Sequence, residues 1–138
     1  MDLQSAVPAL RRSASSLSVI IVEDEILLRM ATASEFREGG HFVIEAATGD
    51  EALALLRRHA NVDAVFSDVR MPGTIDGIGL AELVKLHYPN TRIFLTSGTL
   101  EAFPTNRTLA YGYFSKPYVA SEVERVIRQA CDNNGPGG

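Results

Sequence analysis

Val19-Ile20-Ile21-Val22-Glu23-Asp24-Glu25 sets a run of β-branched apolar side chains directly against three carboxylates. Side chains alternate across a strand, so a run that is apolar at every position needs cover on both faces. That is the condition of a buried parallel strand. Runs of the same kind recur at Phe42–Ala46, Ala64–Ser67, Ile93–Leu95 and Tyr111–Ser115, each bounded by Gly, Pro, Asn or charge. Helical spacing fills the intervals. Ile26, Met30, Ala33 and Arg37 mark a first helix that closes at Gly39-Gly40, a good C-terminal signal. Ala52, Leu53, Leu55 and Leu56 mark the second, and Leu80, Leu83, Val84 and Leu86 the third. In the last, Val119, Val123, Val126, Ile127 and Ala130 share one face, which leaves Ser121 and Glu124 facing outward. The fourth interval, TLEAFPTNRTLA from Thr99 to Ala110, carries Pro104 at its middle. Proline in a helix interior costs ~3 kcal/mol, so a short, displaced or mobile element is predicted there.

Five βα units in succession require parallel strands, right-handed crossovers and helices on both faces. The compact solution is an α/β flavodoxin-like (βα)5 doubly wound parallel sheet of strand order 2-1-3-4-5, since an eight-unit barrel needs ~250 residues. The 138 residues suffice for one domain, and 46% hydrophobic with 22% charged residues is a globular balance. A net charge of -4 argues against a surface built to grip nucleic acid. Cys131 is the only cysteine, which excludes an internal disulfide. No apolar run reaches the ~20 residues of a membrane span, and no secretory leader is visible, so a cytoplasmic location is expected. Residues 1–17 read as a flexible arm, 18–131 as the folded domain and 132–138 as a disordered tail.

In open α/β sheets ligands bind beyond the carboxyl ends of the strands, where the strand order reverses. In this topology that point lies between the first strand, ending in Glu23-Asp24-Glu25, and the third, ending in Asp68. Left alone, these carboxylates repel one another. A hard divalent cation resolves the conflict, and Mg2+ fits because it takes oxygen ligands and keeps several waters; a backbone carbonyl after Asp68 can contribute. The fourth strand ends in Thr96-Ser97 and the fifth is followed by Lys116-Pro117. An acidic metal pocket with an ammonium and a hydroxyl suits a phosphoryl group. Asp68 is then the candidate nucleophile, forming an aspartyl phosphate. Taken singly, each residue has another reading: Asp24 a helix cap, Asp68 a turn residue, Lys116 a surface lysine, Thr96 an ordinary strand position. Their convergence on one crevice favours the joint chemical reading. His41, His59 and His87 lie near segment ends without ligand spacing and read as solvated or capping.

Over about residues 18–131 the chain resembles the receiver domain of two-component response regulators. The resemblance is carried by VIIVEDE, by FSDVRMPG with the following DG, by FLTSG and by YGYFSKPY. It implies that Asp68 accepts a phosphoryl group from a histidine of a sensor kinase. It also implies that Glu23 and Asp24 hold Mg2+, Asp24 directly and Glu23 through water, with the backbone carbonyl of Arg70 as a further ligand. Thr96 and Lys116 match the groups that bind the phosphoryl oxygens. Tyr113 matches the aromatic that swings inward when Thr96 moves toward the phosphate, and the peptide bond before Pro117 is expected to be cis. The first acid is Glu23 where the family often has Asp, the MPGTIDG loop is slightly long, and the Thr96 to Lys116 spacing is slightly short. Arg70 and Gly98 occupy positions that vary across the family and tune phosphoryl lifetime.

The function so implied is a single-domain response regulator, not an enzyme beyond its own phosphotransfer and autodephosphorylation. Its partners would be a sensor histidine kinase or phosphotransfer protein, a downstream protein target and, as an additional output, a second copy in a homodimer. A receiver-fold scaffold or dimerisation module that works without phosphorylation is the alternative. An aspartate-nucleophile phosphatase needs a second carboxylate where this chain has Arg70. A flavin carrier needs a phosphate cradle where this chain has Glu23, Asp24 and Glu25.

Overall fold

The continuous apolar runs form a five-stranded parallel sheet in which the first run lies between the second and the third, with the fourth and fifth following in turn. The computed structural model describes residues 16–59 and 61–133. Its elements are β1 (Ser18–Val22), α1 (Ile26–Glu38), β2 (Phe42–Ala46), α2 (Gly49–Arg58), β3 (Ala64–Asp68), α3 (Gly77–His87), β4 (Arg92–Ser97), β5 (Gly112–Ser115) and α4 (Ala120–Asn133). Two short 3-10 turns, Leu100–Ala102 and Arg107–Leu109, stand where a further helix would complete the five-unit pattern. The described residues thus hold four α-helices, and Pro104 lies between the two turns, which form the short element expected in the fourth interval. The turns hold themselves together locally: the Asn106 side chain accepts from Thr108 N, and Arg107 Nε donates to Pro104 O at 3.1 Å.

Strand alternation splits the core into two layers. Ile20, Val22, Val65, Ile93 and Leu95 point to one face and pack with Ala52, Leu56, Leu80 and Val84 of α2 and α3. Val19, Ile21, Phe66 and Phe94 point to the other and meet Ala33, Phe36, Val123 and Ile127 of α1 and α4. Phe36 and Phe66 are fully or almost fully buried, and truncating such a side chain to alanine costs about 3–5 kcal/mol. Caps set two of the helix starts. Thr48 Oγ1 accepts from Glu51 N at 3.1 Å while Glu51 Oε1 accepts from Ala47 N at 2.8 Å, a near-reciprocal box at α2. Asp76 Oδ1 accepts from Gly79 N at 2.8 Å at α3.

Several sequence expectations are corrected by packing. The first helix buries Thr32, Ala33 and Phe36, whereas Ile26 and Met30 are about half exposed. Its first turn follows the acidic loop directly, so the inward face begins only a turn later. Val119 lies outside α4 and is exposed. Leu17, assigned to the arm, is buried in the core, and Asp132, assigned to the tail, continues α4. Residues 1–15 and 134–138 lie outside the described residues, and with them most of the arm and tail assignments.

Glu124 and His41 depart furthest from the sequence reading. Neither is solvated: His41 Nδ1 accepts from Leu17 N at 3.0 Å, and its Nε2 stands 2.7 Å from Glu124 Oε2. With Nδ1 facing an N–H, the ring proton sits on Nε2 and is donated to Glu124. Arg128 Nε adds a 2.9 Å bond to the same oxygen. Burial alone would raise the Glu124 carboxyl, but the bonds from Arg128 and His41 outweigh it and hold the group below its usual 4.5. A depressed folded value means that its stabilisation is complete above about pH 4.5 and is lost as pH falls through the folded value. Glu124→Gln is expected to cost about 1–2 kcal/mol at pH 7, because a charge-assisted bond is weakened. The gap to wild type should close as pH drops below that range in urea unfolding. A gap independent of pH would overturn the assignment.

Candidate functional site

The strand order does the assembling. Val22 and Ser67 are register partners on β1 and β3, so the next residues, Glu23 and Asp68, leave the sheet side by side. Asp68 is paired with Thr96 on β4, and Lys116 N donates to Ser97 O at 2.8 Å just beyond β5. Segments from β1, β3, β4 and β5 thus deliver their terminal residues to one cleft. Within it, one carboxylate oxygen each from Glu23, Asp24 and Asp68 lie within 4.8 Å of one another. Lys116 Nζ donates to Asp68 Oδ2 at 2.8 Å and to Glu23 Oε1 at 3.1 Å. Lys116 is therefore not a free surface lysine, and the Lys116-Pro117 peptide is cis. Asp24 is not a helix cap: Glu25 holds the N-cap position of α1 without a side-chain cap bond. Among the described residues the Asp24 carboxylate is exposed and accepts no hydrogen bond.

Burial is the main force on the Glu23 carboxyl and pushes it above its usual 4.5; the charge of Asp68 pushes the same way, against bonds from Glu25 N and Lys116. Burial would lower the Lys116 ammonium, yet its bonds to Asp68 and Glu23 more than reverse that and leave it raised. One ammonium thus faces three acids, and the excess negative charge is the physical demand a cation would meet. The donor set, all carboxylate oxygen, suits a hard divalent ion. Thr96 supplies a second demand. It is 2% exposed, and its Oγ1 is a buried side-chain atom without a hydrogen-bond partner among the described residues. Such orphans are rare and call for an explanation; here the hydroxyl stands one strand over from the Asp68 carboxylate.

The loop from Val69 to Asp76 joins β3 to α3 and is tied to α2. Gly73 adopts φ +103°, a region that favours glycine, and Thr74 donates from N and Oγ1 to the two carboxylate oxygens of Asp50. Gly77, the first residue of α3, is closer still: a Cβ there would lie 2.2 Å from Asp68 O and 2.7 Å from Val69 Cα. Both obstacles are backbone, so Gly77→Ala must push α3 away from the residue that carries the central carboxylate. The expected result is a loss of about 1–3 kcal/mol by urea unfolding, the range of overpacked positions. Unchanged stability would show the backbone to be freer than its contacts.

Among the described residues, the side chains of two further expected participants make no hydrogen bond to the acids. Arg70 lies exposed two residues beyond Asp68. Tyr113 turns its hydroxyl to the 3-10 segment, donating to Arg107 O at 3.0 Å and accepting from Ala110 N at 3.2 Å. Its ring packs on Phe103 at 5.1 Å, and the Arg107 guanidinium lies 5.2 Å over it. Other residues escaped the sequence reading. Tyr118, next to the cis peptide, shares a 2.8 Å hydrogen bond with Thr32 of α1 and packs edge-on against Phe66. Arg29 reaches Glu23 O at 2.9 Å. The only trace of Arg29 in sequence was its placement one helical turn after Glu25.

A doubly wound sheet that gathers acids and a lysine at adjacent strand ends is the layout of a phosphosignalling receiver. The response regulator receiver domain family model matches residues 19–128, and the chain belongs to that family. It is similar to a putative NtrX-like response regulator of Rickettsia felis, 33% identical over 122 residues, covering 86% of this chain. This chain spans only 26% of that relative's length. It is also similar to sporulation initiation phosphotransferase F of Bacillus subtilis, 26% identical over 114 residues, covering 80% of this chain and 90% of the relative. Among solved structures, a CheY-like receiver domain protein from Methanospirillum hungatei superposes with a TM-score of 0.80 at 22% identity. That match covers 89% of this chain and 99% of the other, and it bears on the fold alone. No helix among the described residues is long and apolar enough to cross a membrane.

Proposed function

We propose that the chain is a phosphoacceptor: Asp68 takes a phosphoryl group from the phosphohistidine of a sensor kinase or phosphotransfer protein and signals through protein contacts. The observation that carries this reading is the pairing, one strand apart, of a lysine-bound carboxylate and a buried hydroxyl without a partner. In the transfer, an Asp68 carboxylate oxygen forms a bond to phosphorus as the phosphorus–nitrogen bond to the donor imidazole breaks. The imidazole leaves with the electron pair and is neutralised by a proton. Lys116 is already hydrogen-bonded to Asp68 and Glu23, so it can follow charge onto the phosphoryl oxygens without reorganising the cleft. Thr96 Oγ1 gains in the phosphorylated state the partner it otherwise lacks, which favours that state.

Glu23, Asp24 and Asp68, together with the backbone carbonyl of Arg70, would hold Mg2+. When bound, the ion neutralises charge on the transferring group. Glu23, already bonded to Lys116 and Glu25 N, suits an indirect role through water, and exposed Asp24 a direct one. Tyr113 is proposed to report phosphorylation: when Thr96 is drawn to the phosphoryl group, inward rotation of the ring abandons Arg107 O and Ala110 N. The surface from the 3-10 turns to β5 and α4 then changes. A downstream protein or a second copy of the chain would read that surface. Incubation with acetyl phosphate tests the reading. Intact-mass measurement should show one phosphoryl adduct that forms with Mg2+ and not with chelator. No adduct under either condition would favour the phosphorylation-independent scaffold.

A further inference from the structure

We infer that Arg29 is a positioning residue for the acidic pair, setting the place of Asp24 through the carbonyl of Glu23; this rests on the phosphoacceptor reading of the cleft. The Arg29 side chain is 16% exposed and serves two acceptors at once. Its Nη1 donates to Glu23 O at 2.9 Å, and its Nε donates to Glu45 Oε1 on β2 at 3.2 Å. The other oxygen of Glu45 takes Arg37 Nη1 at 3.0 Å, and Arg37 Nη2 continues to Val43 O at 3.1 Å. The guanidinium of Arg29 is thereby held from behind by an anchored carboxylate while it points forward at the acidic loop.

The target of that forward bond matters. Glu23 N donates to Ala46 O at 3.0 Å, so Glu23 is pinned at both its amide and its carbonyl. The peptide unit is planar, and fixing the carbonyl of Glu23 fixes the direction in which the Asp24 N–H and Cα leave. Glu23 and Asp68 have further restraint in their bonds to Lys116. Asp24 has none among the described residues, so its backbone is what fixes the point from which its carboxylate reaches into the cleft. A staple between α1 and β2 requires only the Arg29–Glu45 contact. The bond to Glu23 O is the part that the staple leaves unexplained. Arginine suits the double task because its planar fork addresses two acceptors in fixed directions, which a single ammonium cannot do.

The test compares Mg2+ affinity with fold stability in the full chain. Calorimetric titration of Mg2+ into wild type, Arg29→Met, Arg29→Lys and Glu45→Gln gives the first, and thermal unfolding without the ion gives the second. Arg29→Met keeps the apolar stem and loses both donors. Its Mg2+ dissociation constant is expected to rise about 10-fold or more, the usual effect of removing a group that orients a ligand. Arg29→Lys should fall between the two, and Glu45→Gln should disturb melting more than affinity. Wild-type affinity in Arg29→Met, even with a lowered melting temperature, would make the residue a staple and overturn the inference. If Arg29→Met does not fold, wild-type affinity in Arg29→Lys overturns it equally. Absence of Mg2+ uptake by the wild-type chain would instead remove the reading of the cleft on which the inference stands.

Discussion

Asp68→Asn takes phosphoryl labelling by acetyl phosphate to the detection limit while the chain stays folded. The substitution preserves shape and leaves an oxygen that can accept from Lys116, now 2.8 Å from Asp68 Oδ2. What it removes is the anionic lone pair: an amide oxygen is too weak a nucleophile to form the acyl phosphate. Deleting a nucleophile costs orders of magnitude in rate, far beyond any change in binding. Stability is expected to change by less than about 1 kcal/mol, because one ion pair is lost while repulsion among three neighbouring acids is relieved. Glu23 provides an internal check. Asp68 is one of the causes that hold its carboxyl above 4.5, so Asp68→Asn should lower it, readable by carboxyl-carbon NMR. Peptide mapping of any residual adduct separates the outcomes. Undiminished labelling, or label on Asp24 or Glu23 in the wild-type chain, would refute the assignment of the nucleophile.

Mg2+ should raise the melting temperature of the wild-type chain and leave that of Asp24→Asn unmoved. An ion that binds only the folded state adds about 2.7 kcal/mol at a hundredfold excess over its dissociation constant. For a domain of this size that amounts to about 8–12 °C. Asp24 is exposed and has no partner among the described residues, so its replacement by the isosteric amide removes a ligand without breaking a hydrogen bond there. The apo variant should melt at or slightly above wild type. The pH dependence follows from Glu23. Its folded carboxyl value is raised, so the folded state takes up a proton before the unfolded chain does as pH falls. The apo fold therefore gains stability from Glu23 as pH drops through that raised value toward 4.5, and loses it again as pH rises. A bound proton also competes with the cation, so the Mg2+-induced rise should shrink as pH falls from neutral toward that raised value. A melting temperature indifferent to Mg2+ at neutral pH would dispose of the metal site.

Side-chain chemistry in continuous segments was readable without coordinates. Val19–Val22 and the runs like it demanded two-sided cover, and that requirement, with short connections, left the 2-1-3-4-5 sheet as the compact arrangement. The acids followed from the topology: residues at the ends of neighbouring parallel strands must emerge together, and Glu23 and Asp68 do. Pro104 likewise announced that the fourth interval would lack a full helix, because a ring that removes an N–H acts locally.

Tertiary structure alone decided what depends on groups distant in the chain or on backbone direction. His41 and Glu124 are separated by 83 positions, and neither the spacing of α4 nor the flanks of His41 showed that each would be the other's buried partner. Glu124 sits beside Val123 at the edge of the apolar stripe, where the α1–β2 junction rather than water covers it. The Tyr113 hydroxyl and the Arg29 guanidinium end on main-chain carbonyls, at Arg107 and Glu23. Every residue carries a carbonyl, so composition and spacing hold no signal for which one a donor will reach. Periodicity determines which face of an element is apolar; only the packed fold determines what stands opposite its polar groups.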